Sequence, residues 1–204
     1  MLFVSHNMAS IDRLCRTCVL FDSGNLLSLG ETPAILDAYL SLVRSKTSNV
    51  YAQPGDPDKA VNLRRVVVSA NGSEGHSEIR FDEEFEIVVD YEINEPVRGA
   101  AASIAIVTAS GVILLASAEY DMHPELLHVR DPGYYRTSVK IPGRLLNAGH
   151  YSVRVFALDV LRSHAFDRVD AVVFTITGTA THLGVGSRAA HLVPLLDWNT
   201  VSCS

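Results

Sequence analysis

Short stretches in which hydrophobic and polar residues alternate run through most of the chain after residue 60. The clearest is FEIVVDYEI at 85–93, where every second residue is apolar and Glu86, Asp90 and Glu92 lie between them. Alternation with a period of two is typical of a half-buried β-strand. Six other segments are also expected to be strands, at 61–70, 100–108, 112–120, 134–142, 150–159 and 171–177. Seven short strands without helical patterns between them predict an antiparallel, immunoglobulin-like β-sandwich, so the fold class is mainly β.

The pattern is different before residue 45. Residues 1–5 are apolar enough for a buried strand, and Asn7 can cap a helix that follows it. Two apolar runs then flank Asp22-Ser-Gly-Asn25, which predicts a β-hairpin with glycine in its turn. A second helix is predicted after the hairpin, with Thr32 as its N-cap and Pro33 in its first turn. The segment 1–44 is therefore predicted to be a small α/β unit.

Residues 45–60 have the composition of a linker. The segment SKTSNVYAQPGDPDKA contains two prolines, a glycine and few apolar residues. We place the domain boundary here, so that the sandwich is expected to span residues 61–204. Its last stretch is rich in glycine and then apolar, and it carries the single tryptophan, Trp198. This tail either docks on a partner or closes the sandwich within the same chain.

Composition and charge favour a globular protein and argue against several classes of function. The chain has 204 residues, of which 48% are hydrophobic and 20% charged, enough to build a core. Its net charge of -6 argues against nucleic-acid binding, because phosphates require cationic side chains. We expect neither a signal peptide nor a membrane-spanning helix, since no apolar run approaches the roughly 20 residues that a bilayer needs. Three cysteines without a framework favour a reducing compartment, so we expect a cytoplasmic protein.

Three motifs suggest chemistry, and each has a simpler explanation. Cys15 and Cys18 have the C-x-x-C spacing, but no second ligand pair for zinc lies near them and strand-like residues follow, so we interpret them as ordinary packed cysteines. The acidic run 82–84 invites comparison with the paired carboxylates of glycosidases. Adjacent residues of a strand point to opposite faces, which favours a solvated turn instead. The loop 121–125 is either a metal loop or a polar hairpin loop, and we predict no metal site.

Two features together resemble a known family. The segment LFVSHNMASIDRLCRTCVLFDSGNLLSLGETPAILDAYL resembles the end of an ABC transporter nucleotide-binding domain, where a strand ends in the switch histidine and a hairpin with a D-x-G turn precedes the closing helix. A linker and a β-sandwich follow, with a P-x-x-x-W tail from Pro194 to Trp198. This order resembles the ATP-binding subunits of Wzt-type polysaccharide exporters, which carry a C-terminal carbohydrate-recognition sandwich.

The resemblance implies that residues 1–44 are the truncated end of an ABC ATPase domain. In that family His6 would be the switch histidine that senses the γ-phosphate; the plainer alternative is a histidine at a helix start without a role. The phosphate loop G-x-x-x-x-G-K-[ST] does not occur in the sequence, and the family's signature and acidic strand are missing too. We therefore expect no ATP hydrolysis and no cofactor for this chain, ATP and Mg²⁺ belonging to the full-length family. The alternative is a working ATPase subunit whose N-terminal part lies outside this sequence.

For the sandwich, the resemblance implies recognition of an exported polysaccharide such as O-antigen. Sugar rings stack their C–H faces on aromatic rings while their hydroxyls pair with fixed polar groups. The residues that can supply such contacts are Tyr120, His123, Tyr134, Tyr135, Arg136 and Arg154. The alternatives are that the tyrosines only cover the rim of the core, or that the sandwich serves dimerisation or permease docking without sugar. The resemblance further implies a homodimer bound to a permease at the inner membrane.

Overall fold

The computed structural model describes residues 11, 14–22, 24–36, 38–39, 49–109, 111–178 and 190–194. Most of them form two β-sheets packed face to face, and this confirms the mainly β, antiparallel fold. The strands of these two sheets are β3 (Val50–Ala52), β4 (Val61–Ala70), β5 (Ser73–Glu74), β6 (Glu78–Arg80), β7 (Phe85–Ile93), β9 (Ala100–Thr108), β10 (Ile113–Ala118), β12 (Gly133–Ile141), β13 (Gly149–Asp159) and β14 (His164–Thr177).

The first sheet has the strand order β12-β7-β4-β3, with β5 paired to β4, and the second has the order β10-β9-β13-β14-β6. All of these pairs are antiparallel except β14 with β6. A two-stranded ribbon of β8 (Val97–Arg98) and β11 (Val129–Arg130) lies beside them. Two 3₁₀ turns, Glu119–Asp121 and Pro124–Leu127, lie between β10 and β11. Within the described part of the chain, β12 and β10 are edge strands with one neighbour each.

The core fills the space between the sheets. The inward positions of β7, from Phe85 to Ile93, are all at most 3% exposed, as the alternating pattern predicts. The inward positions of β13 behave the same way, and Val153 and Val155 are fully buried. The aromatic rings of Phe85 and Phe174 meet across the sandwich with their centroids 5.1 Å apart. Burial of branched and aromatic side chains on these two inner faces supplies the main stabilisation of the fold.

The structure differs from the sequence prediction at several element boundaries. Residues 50–52 form strand β3 on β4, although they lie in the stretch assigned to the linker, because pairing with a central strand overrides the nearby prolines. Strand β10 ends at Ala118 rather than at residue 120, so Tyr120 lies in the following 3₁₀ turn. Strand β14 begins at His164, seven residues before the predicted 171, because the chain pairs with β13 as far as Asp159.

The front segment forms a hairpin, as predicted. Strands β1 (Thr17–Asp22) and β2 (Asn25–Glu31) are antiparallel, and Gly24 in the turn has φ +82°. A helix spans 32–36 and includes 38–39. The hydroxyl of Thr32, the first described residue of this helix, donates to the carbonyl of Cys15 (2.7 Å) and so ties the helix start to the chain just before the hairpin. The predicted strand 1–5, His6 and the cap Asn7 lie outside the described residues.

The two faces of this hairpin are unequal. Leu20 is buried, as is Ile35 of the following helix, whereas Val19, Phe21 and Leu29 are exposed on the other face. Cys15 and Cys18 are free thiols, and the Cys18 sulfur lies 3.2 Å from the Thr32 hydroxyl. No cluster of potential metal ligands occurs among the described residues.

Residues 190–194 return to the sandwich. The backbone N–H of Val193 donates to the carbonyl of Leu145 (2.9 Å), and that of Asn147 donates to His191 (2.8 Å). The side chain of Val193 is only 4% exposed and belongs to the core. This part of the tail therefore closes the sandwich within the chain, while Trp198 lies outside the described residues. No described helix is long and apolar enough to cross a membrane.

Candidate functional site

The sequence-predicted binding residues fall in three different places. Tyr134 and Arg136 point outward from the first sheet, whereas Tyr135 between them points toward the core. Arg154 lies on the outer face of the second sheet, where its Nε donates to Asp170 (2.5 Å). Tyr120 and His123 belong to the region of the 3₁₀ turns after β10. The structure therefore brings together only Tyr134 and Arg136 on one open surface.

This surface, the Tyr134 face, is the outer side of β12, β7 and β4. Every second residue of β12 is exposed there, because the strand alternates between solvent and core. The register places Tyr134 opposite Glu92 and Arg136 opposite Asp90. Arg65 of strand β4 lies opposite Asp90 on its other side, so Arg136, Asp90 and Arg65 form one row across the three strands. Aromatic and charged groups thus lie in ordered rows across three strands.

Tyr134 is the exposed aromatic group of this face. Its side chain is 72% exposed, and the guanidinium carbon of Arg64 lies 5.5 Å from the ring centroid. Arg64 is itself held in place, because it forms an ion pair with Glu92 and its Nε donates to the carbonyl of Gln53 (3.1 Å). Gly55 permits this arrangement, since a Cβ there would meet the guanidinium of Arg64. One side of the ring is therefore held by a fixed cation while solvent reaches the rest.

The neighbouring row holds a bidentate pair. Arg136 donates from Nε and Nη2 to the two carboxylate oxygens of Asp90, at 2.6 and 2.8 Å. A second guanidinium, that of Arg65, lies 3.7 Å from the same carboxylate and also pairs with Glu74. The hydrogen bonds from Arg136 hold the pKa of Asp90 below its usual value. The carboxylate therefore stays ionised, which gives this face hydrogen-bond donors and acceptors in fixed positions.

Tyr135 takes part in a buried polar network instead. Its ring stacks on Tyr91 with centroids 5.6 Å apart, and the Arg130 guanidinium lies 4.1 Å from its centroid. Arg130 donates to the carboxylate of Glu119 at 3.1 Å, and both side chains are less than a tenth exposed. Burial and the Glu119 carboxylate raise the pKa of the Tyr91 phenol. The network is neutral overall and anchors the first 3₁₀ turn to the sandwich.

Comparisons with known proteins agree with the sandwich. The family model described as the Wzt C-terminal domain matches residues 58–187, more than half of the chain. The chain belongs to this family. A solved structure, the "Crystal structure of the C-terminal domain of wzt", superposes with a TM-score of 0.55 at 12% identity and covers 78% of this chain and 95% of that chain. At such low identity the superposition shows a shared fold. A search of curated proteins gives no significant match.

In this Wzt C-terminal domain, sequence reasoning missed the residues that fix the candidate site. Arg64, Glu92 and Asp90 hold Tyr134 and Arg136 in place, and Glu119 with Arg130 forms the buried pair. Charged residues at outward strand positions predict only a solvated face. The pairing of Tyr134 with Glu92 depends on strand order, which one sequence does not reveal. His123, exposed and bonded to Glu125 at 3.0 Å, lines a separate cleft beside β10 and β12.

Proposed function

We propose that this domain binds the polysaccharide carried by an ABC exporter, and that it is the glycan-recognition part of the ATP-binding subunit. The observation that carries the proposal is the exposed ring of Tyr134, backed by Arg64 and flanked by the Arg136–Asp90 pair. An aromatic platform beside fixed polar groups suits a sugar ring, which has both C–H faces and hydroxyls. Membership of the Wzt C-terminal domain family supports the same function.

The open shape of the Tyr134 face suits a chain rather than an isolated small molecule. A sugar residue stacks on the ring of Tyr134, and the next residue lies over the Arg136–Asp90 row. Because both members of that pair are already ordered, they donate to and accept from sugar hydroxyls with little loss of side-chain entropy. Each contact is weak, and binding of a polymer sums several of them. The face therefore favours modest affinity for a repeating glycan such as O-antigen.

Binding of polysaccharide purified from the source organism to the full chain tests this proposal. Tyr134→Ala should weaken binding roughly threefold to tenfold, the value of one aromatic contact, while Tyr134→Phe should retain most of it. Arg154→Ala serves as the matched control, because this side chain lies on the outer face of the opposite sheet. An equal loss in Tyr134→Ala and Arg154→Ala, measured by calorimetry, would contradict the assignment.

The assembly that we propose follows the same family. The chain acts as a homodimer on a permease at the cytoplasmic side of the inner membrane, without nucleic acid as a partner. Residues 1–44 form the end of an ATPase domain, and an ATP-hydrolysing subunit that includes them is the rival function. Reading the gene upstream of Met1 separates the two, because a working subunit requires an in-frame phosphate loop. His6 acts in catalysis only in that longer protein.

A docking role without sugar is the second candidate, and one observation favours it. The exposed face of the β1–β2 hairpin carries Val19, Phe21 and Leu29, and exposed apolar area of this kind marks a surface that packs against protein, here either the permease or the remainder of an ATPase domain. A pull-down of the permease subunit with wild type and Phe21→Ser tests this role. Permease binding that depends on Phe21, combined with no polysaccharide binding, would favour docking over recognition.

A further inference from the structure

A concave site separate from the Tyr134 face lies between the edge strands β10 and β12 of the sandwich. Where the structure describes the chain, β10 and β12 each have a strand on one side only, and a cleft of about 190 Å³ separates them. Inward residues of the core form its floor, including Ile87, Val89 and Ile104. It is distinct from the Tyr134 face, because alternate residues of β12 point into the cleft and out to that face.

The buried carboxylate of this cleft, that of Glu119, has hydrogen-bond donors from the described residues on only one of its two oxygens. Oε1 of Glu119 accepts three hydrogen bonds, from the Tyr91 hydroxyl (2.7 Å), the Ala102 N–H (2.9 Å) and Arg130 (3.1 Å). No described residue donates to the other oxygen, Oε2. The side chain is only 7% exposed and lines the cleft. Within the described chain, Oε2 is therefore available to accept a further hydrogen bond, and leaving a buried acceptor without one is costly.

Two hydroxyls face the same space from the two edge strands. Ser117 pairs with Ile104 in the register of β10 with β9, so its side chain shares the inward face. Thr137 pairs with the inward residue Val89 in the same way. Both are half-buried residues that line the cleft, and neither hydroxyl has a hydrogen-bond partner among the described residues. Ser117, Thr137 and Glu119 therefore line the same cleft as the aliphatic residues of its floor.

We propose that this edge cleft binds one neutral pyranose ring, with Glu119 Oε2 accepting from a ring hydroxyl. Arg130 already neutralises Glu119, so the cleft does not require a charged ligand. Its volume is below the roughly 300–1,000 Å³ of sites for drug-sized molecules, which limits the occupant to a single ring. In this arrangement the aliphatic floor packs against the C–H face of the sugar ring, and Ser117 and Thr137 form hydrogen bonds with its hydroxyls. The choice of a sugar rests on the proposed function; the location rests on these residues.

Amide chemical shifts of the isotope-labelled full chain test the inference. D-Mannose, D-galactose, L-rhamnose and N-acetyl-D-glucosamine are titrated at millimolar concentrations, with the open-chain polyol sorbitol as a control. At least one ring sugar should shift amides at 117–119 and 137–139, and sorbitol should not. Shifts that occur with sorbitol as well, or with no sugar at these positions, would overturn the inference.

Single substitutions then distinguish a role of these residues in sugar binding from a role in folding. Thr137→Val removes one hydroxyl at constant shape and should weaken the responding sugar about fivefold, whereas Glu119→Gln should weaken it about tenfold or more. Ser152→Ala, on the outer face of β13, is the matched control and should change nothing. Equal affinities for Thr137→Val and Ser152→Ala would refute the cleft assignment without relying on Glu119, whose replacement can unfold the protein.

The two proposals fail in different ways. Polysaccharide binding that depends on Tyr134, with no sugar-induced shift at the cleft, overturns the cleft alone. Sugar-induced shifts at the cleft without polysaccharide binding overturn the proposed function and retain the cleft as a site for a free sugar. Absence of both kinds of binding overturns both.

Discussion

Replacing Arg130 by methionine should destabilise the sandwich by about 3–4 kcal/mol, because it leaves the Glu119 carboxylate buried without its cation. Removal of one partner of a buried ion pair costs about 3–5 kcal/mol. The low end applies here, since Oε1 of Glu119 keeps its bonds from Tyr91 and the Ala102 N–H. Loss of the desolvated cation over the Tyr135 ring, now 4.1 Å from its centroid, adds roughly 2 kcal/mol, of which a contact of the methionine sulfur with the ring restores about 1 kcal/mol.

Urea unfolding followed by far-UV circular dichroism measures this change. The matched control is Arg80→Met, because the Arg80–Asp82 pair has the same 3.1 Å separation but is largely exposed. Exposed pairs contribute little, so this variant should unfold close to the wild-type midpoint. Similar midpoints for Arg130→Met and Arg80→Met would refute the view that burial decides the cost.

A double-mutant cycle isolates the pair itself. Glu119→Gln alone leaves Arg130 buried without its anion, while the double variant Arg130→Met/Glu119→Gln has neither charge. The loss in the double variant should therefore be smaller than the sum of the two single losses by at least about 1.5 kcal/mol. Additive losses would mean that the two side chains stabilise the fold independently, for example through packing on Tyr91 and Tyr135.

Two further predictions concern backbone packing and pH. Gly143→Ala should cost about 1–3 kcal/mol, because a Cβ there would meet the backbone of Asp82, whereas Gly133→Ala, with 3.8 Å of room, should be near neutral in the same urea assay. The folded-state pKa of Asp90 is lowered chiefly by its hydrogen bonds from Arg136, so its stabilisation is present above the unfolded value and is lost as the pH falls below about 4. The melting temperatures of wild type and Asp90→Asn should therefore converge on acidification; a constant difference between them would contradict this.

The strands could be predicted from the sequence where burial alone decides them. Segments 61–70, 85–93 and 100–108 have the bounds of β4, β7 and β9, because branched and aromatic residues fill one or both faces of each. Strand β3 could not be predicted, since its three residues gain their structure only by pairing with β4. The parallel strand β6 could not be predicted for the same reason, since it gains its structure by pairing with β14.

The candidate site was predictable only in part. Two adjacent tyrosines in a strand require that one of them face outward, and the structure assigns this position to Tyr134 rather than Tyr135. Which charged residues surround the ring depends on the strand order β12-β7-β4, set by packing between distant segments. The Glu119–Arg130 pair could not be predicted either. A charged residue in a loop is normally solvated, and only the observed burial distinguishes this pair.

Strand β12 connects the two proposed sites. Tyr134 and Arg136 project from it onto the outer face, and Thr137 projects from its opposite side into the edge cleft. The rise of about 3.3 Å per residue separates Tyr134 from Thr137 by roughly 10 Å along the strand, the length of about two sugar residues. Because β12 is an edge strand, no described neighbour blocks the path from one side to the other. If both proposals hold, a glycan on the Tyr134 face would cross this edge and its last ring would occupy the cleft, so that the two proposed sites would share one strand.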